Sequence, residues 1–206
     1  MPKPRIPLEP DKYYHIYNHA NGFENIFNDD FDKDKFLQKF KVYIVPVADT
    51  FSYCLMPNHF HILLRIKPLD ELLKSDKFSN IVKIKQTKTN QEFYEKINNK
   101  ISYQFSHFFN SYAQSYNNKY NRMGSLFKSN FERKLVNKEK YFLKLIHYIH
   151  YNPVEHGFVE KLSDWKYSSY NAIIQNSETI LLRNEVLEAF GDKENFIYIH
   201  QQPFEM

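Results

Sequence analysis

Two short apolar segments, FSYCLM (51–56) and HFHILLRIK (59–67), separated only by Pro57-Asn58, constrain this 206-residue chain more than any other feature. Both are rich in β-branched and aromatic residues, and a proline at the second position of a tight turn presets the torsion that a chain reversal needs. The pair reads as an antiparallel hairpin with both strands central in a sheet. Upstream, YYHIYNHA (13–20) reads as a first strand ending at the Asn21-Gly22 turn. Asp29 to Asp32 then cap a helix of about four turns, whose apolar face is Phe36, Leu37, Phe40, Tyr43, Ile44 and Val47 and which bends or stops near Pro46.

Downstream of the hairpin, residues 69 to about 100 are polar and weakly periodic, an insertion with at most a short helix. Ile101 to Tyr120 carries Phe105, Phe108, Phe109, Tyr112 and Tyr116 at helical spacing and stops near Met123-Gly124. SLFKSNFERKLV (125–136) reads as a strand with Leu126, Lys128 and Asn130 on one face and a bend near Ser129. Lys138 to Tyr151 is a further helix with Phe142, Leu145, Ile146 and Ile149 as its buried stripe, closed by Asn152-Pro153 because proline cannot continue the ladder. The order predicts an α+β domain over residues 1–175, with helices on one side of an antiparallel sheet, and a helical C-terminal appendage over 176–206.

Cys54 is the only cysteine, which excludes an intramolecular disulfide framework and a cysteine-based zinc site. No segment resembles a signal peptide or a membrane span, so a soluble cytoplasmic protein is expected. A formal charge of +4 permits a polyanionic partner without demanding one. With 4 glycines in total, the chain has no glycine loop to cradle a nucleotide phosphate.

Strand alternation puts His59 and His61 on one face with Cα atoms about 6.6 Å apart, near enough to share a metal ion, although two histidines on a half-exposed strand would look the same. Tyr148 and Asn152 are four residues apart on a helix and so face the same way, offering a nucleophile and an amide oxygen, or equally a surface tyrosine and a C-terminal cap. With 16 tyrosines present, periodicity cannot choose among them. Between Asn117 and Lys140, seven basic residues stand against two acidic ones, interleaved with Tyr120, Phe127 and Phe131. This mixture suits backbone contact and base stacking through Lys119, Arg122, Lys128, Arg133 and Lys134, and it equally describes a solvated surface.

Three motifs in order, Met56-Pro57-Asn58-His59-Phe60-His61, then Gly124-Ser125-Leu126-Phe127, then Tyr148-Ile149-His150-Tyr151-Asn152-Pro153-Val154, resemble the REP-associated tyrosine transposases and the related single-strand transposases of insertion sequences, enzymes of the HUH tyrosine type. The likeness covers about residues 10 to 172, including Trp165 and Ser168-Ser169-Tyr170. It implies a ferredoxin-like (RRM-like) sheet with the histidine pair on a central strand and the tyrosine on a helix crossing it. It further implies His59 and His61 as metal ligands and Tyr148 as the nucleophile. Asn152 takes the place of the polar side chain completing the site, where some relatives have the longer Gln. The expected activity is nicking and strand transfer of single-stranded DNA at hairpin sites through a 5′-phosphotyrosine, with Mg²⁺ or Mn²⁺, by a monomer or homodimer. A metal-dependent nuclease using water and a non-catalytic nucleic-acid-binding module are the alternatives.

Overall fold

The computed structural model describes residues 6–78, 81, 89–128 and 130–204. Four strands, β1 (Tyr13–His19), β2 (Ala48–Leu55), β3 (His59–Ile66) and β4 (Glu132–Val136), form one antiparallel sheet in the order β2-β3-β1-β4. The first helix, α1 (Asp30–Tyr43), joins β1 to β2. A short α2 (Leu69–Lys74) and a long α3 (Asn90–Lys119) lie between β3 and β4, and α4 (Glu139–Glu155) follows β4. Leaving α2 aside, this is the βαββαβ order of a ferredoxin-like fold, followed by α4 and by α5 (Tyr170–Ile174), α6 (Arg183–Ala189) and α7 (Lys193–Gln201).

One sheet face is mostly apolar. Tyr14 and Ile16 of β1 and Phe60, Ile62 and Leu64 of β3 point to it and are buried against α1 and α3. Phe36 of α1 is the hub, with ring centroids 5.1 Å from Phe60, 4.8 Å from Phe108 and 5.1 Å from Tyr112. The other face is split. At one end, Phe51, Cys54, Leu63 and Val136 pack under Leu145, Ile146 and Ile149 of α4. At the other end the same face carries histidines.

Several sequence expectations change. Helices cover both sheet faces rather than one, because β3 is buried along both and the second face still carries Leu63, with Phe51, Cys54 and Val136, to be kept from water. Of the hairpin strands only β3 is central; β2 is an edge, and its outer side is protected by Leu182 N bonding Thr50 O at 2.9 Å and Ser169 N bonding Tyr53 O at 2.9 Å. The polar insertion is shorter than expected, since α3 starts at Asn90: Thr89 and Glu92 form a reciprocal cap, and Phe93, Ile97 and Ile101 continue the buried stripe backwards. Finally, α4 does not stop at Pro153 but runs through it to Glu155. The Asn152 side chain bonds the Tyr148 carbonyl at 2.8 Å, and beyond the proline the helical ladder resumes with His156 N on Asn152 O at 3.0 Å.

The strand expected over 125–136 is confined to β4; ahead of it Phe127 makes a single bridge to Ala20, and the bend expected at Ser129 lies outside the described residues. C-terminal residues pack back onto the α4 side of the sheet, with Phe196 of α7 wholly buried. No described helix is long and apolar enough to cross a membrane.

Candidate active site

The register of the two central strands builds the site. His19 pairs with His59 and Tyr17 with His61, while His15 is paired on its other side with Lys134 of β4. Alternation therefore puts His15, Tyr17, His19, His59, His61 and Lys134 on one face. The stripe of α4 that faces them adds Tyr141, Lys144 and Tyr148, and these groups line one cleft of about 830 Å³ together with Asn58, His156, Phe158 and Phe204. The sequence-derived candidates His59, His61, Tyr148 and Asn152 thus meet within one chain. The ring centroids of His59 and His61 are 5.2 Å apart, and Tyr148 lies 5.4 Å from His61.

Each histidine of the pair is held by a neighbour through the same ring atom. His59 Nδ1 is 2.8 Å from Asn58 Oδ1, and His61 Nδ1 is 2.9 Å from His15 Nε2. In the tautomers in which Nδ1 carries the proton, both Nε2 atoms present lone pairs, the form in which imidazole binds a metal. Burial drives the proton affinity of the cluster down. His59 falls to about 4, first through desolvation and then through His19, and His15 falls to about 3 through desolvation and Lys134. His61 lies well below the ordinary range, through desolvation and then His15.

Asn152 is fully buried, beside both His59 and Tyr148. Its Nδ2 is spent on the Tyr148 carbonyl, and its Oδ1 accepts no hydrogen bond. An orphaned amide oxygen inside a protein is costly, and a cation beside it would relieve that cost. Among the described residues no three His, Cys, Asp or Glu side chains are grouped to hold a metal ion, so a metal here needs the amide of Asn152 and outside oxygens to complete its shell. Two imidazoles with an amide oxygen fit Mg²⁺ or Mn²⁺ in that way. The Tyr148 phenol is a weaker acid than usual, because desolvation outweighs the hydrogen-bonding influence of Asn152.

The basic candidates separate. Lys134 lines the cleft, over the Tyr17 ring at 5.6 Å, and Lys128 follows the bridge beside His19, whose proton affinity is lowered by desolvation and then by Lys128. Lys119 is instead bound by Asp29 and Asp32, both at 2.8 Å, and Arg122 by Glu24. Arg133 points to the α3 side, bonding Ser102 at 3.3 Å and lying over Phe131. Sequence reasoning did not single out His15, Tyr17, His19, Asn58, His156 or Lys144. The signal for the first three was there, since His15, Tyr17 and His19 repeat with period two along β1.

A second buried histidine cluster fixes α4 from behind. His150 Nε2 is 2.7 Å from Ser169 Oγ, its Nδ1 is 2.9 Å from His200 Nε2, and His200 Nδ1 is 2.8 Å from Phe196 O. Desolvation lowers His200 to about 3 and holds His150 well below its ordinary value. His15, His59 and His200 take up protons near pH 6.5 in the unfolded chain but refuse them in the folded one down to about pH 3–4. Stability is therefore complete above pH 6.5 and is lost as pH falls below it, by about 1.4 kcal/mol per pH unit for each extra proton the unfolded chain binds. Urea melts should show a clearly lower midpoint at pH 5 than at pH 7, and equal midpoints would contradict a neutral buried cluster.

No protein-family profile matches the chain. A Haemophilus influenzae protein named as a REP-associated tyrosine transposase is 28% identical over 123 residues, 60% of this chain and 59% of that protein. The fold is similar to that of a REP-associated tyrosine transposase solved bound to a REP hairpin, with a TM-score of 0.53 and 13% identity over 87% of this chain and 89% of the other. The chain is thus similar in sequence to one REP-associated tyrosine transposase and in fold to a second.

Proposed function

We propose that this protein is a metal-dependent nicking and strand-transfer enzyme for single-stranded DNA next to hairpins, acting through a covalent tyrosine intermediate. The observation that carries this reading is the position of the Tyr148 ring, 5.4 Å from His61 and on the same sheet face as His59, within a single chain. Support for a hairpin substrate comes from the fold neighbour, whose structure is of a complex with a REP hairpin.

The Tyr148 oxygen attacks the scissile phosphorus; the phenol gives up its proton, the bond to the 3′ oxygen breaks, and that oxygen takes up a proton and leaves as a hydroxyl. The DNA 5′ phosphate is then esterified to Tyr148, and a second 3′ hydroxyl can reverse the exchange without ATP. His15 and Asn58 orient the two histidines, and the Asn152 amide fixes the turn of α4 from which Tyr148 projects. A divalent ion held by His59, His61 and Asn152 would neutralise charge on the phosphate and help a phenol that burial has made reluctant to ionise.

Incubation with a single-stranded hairpin oligonucleotide and Mn²⁺, followed by denaturing electrophoresis, tests the reading. A denaturation-resistant protein–DNA adduct that disappears with chelator is expected. Cleavage without an adduct would instead support a water nuclease, and binding without cleavage a non-catalytic module.

A further inference from the structure

We propose that the unpaired strand reaches Tyr148 along a track between two walls of alternating tyrosine and lysine: Tyr141 and Lys144 of α4 on one side, Tyr17 and Lys134 of the sheet on the other. The proposal rests on the single-strand reading above and names the residues that bind the strand.

On α4, residues 142, 145, 146 and 149 turn inward, leaving Tyr141, Lys144 and Tyr148 as the stripe over the cleft. Tyr141 and Lys144 are exposed, whereas Tyr148, at the inner end, is half-buried. On the facing wall, Lys134 sits across from His15 and Tyr17 across from Glu132 on the outer pair of strands, and the Lys134 ammonium lies over the Tyr17 ring. Both walls thus pair a flat ring with a cation, the combination that holds single strands by stacking and phosphate contact without reading sequence.

Charge favours the same ligand. No Asp or Glu is among the described residues lining the cleft, whose ammonium groups are those of Lys134 and Lys144. Lys119 and Arg122, which sequence alone marked for DNA, are not among the residues lining the cleft and face carboxylates. A duplex, whose bases are stacked inside, could not offer ring faces to Tyr141.

Fluorescence anisotropy with a labelled unpaired oligonucleotide tests the track, in the Tyr148→Phe background and without divalent ion, so that chemistry plays no part. Lys144→Gln is expected to lower the slope of log affinity against log salt by about 0.7. Tyr141→Ala should weaken binding roughly 5- to 100-fold, as loss of one base–aromatic stack does, and Tyr141→Phe should restore it. Both side chains are exposed, and unchanged melting temperatures confirm that the variants fold. Wild-type affinity and salt slope in Lys144→Gln and Tyr141→Ala would overturn the track even if the wild-type chain forms its adduct. The expected binding losses without any adduct would keep the track and overturn the covalent mechanism instead.

Discussion

Replacing Tyr148 with Phe is expected to eliminate the covalent protein–DNA adduct while the variant still folds and still binds single-stranded DNA. The phenyl ring keeps the packing against His61 and against Phe204, whose centroid lies 5.5 Å away. Only the oxygen that forms the phosphoester is lost. The half-buried hydroxyl interacts with Asn152 at most, so the stability change should not exceed about 1 kcal/mol. Tyr17 is the natural control, because its ring also faces His61, at 5.9 Å, and lines the same cleft. Mass spectrometry of the trapped peptide should place the DNA on residues of α4. An adduct that survives Tyr148→Phe and vanishes in Tyr17→Phe would move the nucleophile to β1.

The second large effect concerns the histidine pair. His59→Ala and His61→Ala should each abolish cleavage, a greater loss than the roughly 10- to 100-fold that follows removal of a ligand's supporting partner. Binding of the DNA without metal should change little, because phosphate contacts lie elsewhere in the cleft. The two substitutions should differ in stability. His61→Ala strands His15 Nε2 in a buried position and should cost about 1–3 kcal/mol, whereas Asn58, the partner of His59, is next to the open turn and keeps access to water. Calorimetric titration with Mn²⁺ provides a readout independent of catalysis: heat of binding in the wild type and its loss in both variants. Cleavage at the wild-type rate in either variant would remove the metal assignment.

Asn152 shows how far the sequence could be read and where it stopped. Its spacing from Tyr148 placed both on one helical face, which the structure bears out, because a four-residue offset in a helix is geometry that no tertiary contact can change. The sequence also suggested that the helix ended there, and it does not. A proline removes a single donor, its own, and here the backbone hydrogen bonds resume directly beyond it, from His156 N to Asn152 O and from Phe158 N to Pro153 O. The start of α3 was missed for a related reason: residues 90–100 look polar in isolation, and the burial of Phe93 and Ile97 depends on what packs over them.

Locally encoded features were fixed by the chain itself: the hairpin, the period-two faces that bring His59 and His61 together, the helical stripes and the α+β order. Strand register and helix placement could come only from the folded molecule, because they depend on partners tens of residues away. It is the pairing of His19 with His59 and of Tyr17 with His61, with α4 laid across them, that gathers Tyr17, Tyr141 and Tyr148, out of 16 tyrosines, at the histidines. The same long-range contacts supply His15 behind His61 and tie up Lys119 and Arg122, whose acidic partners are 87 to 98 residues away in the chain.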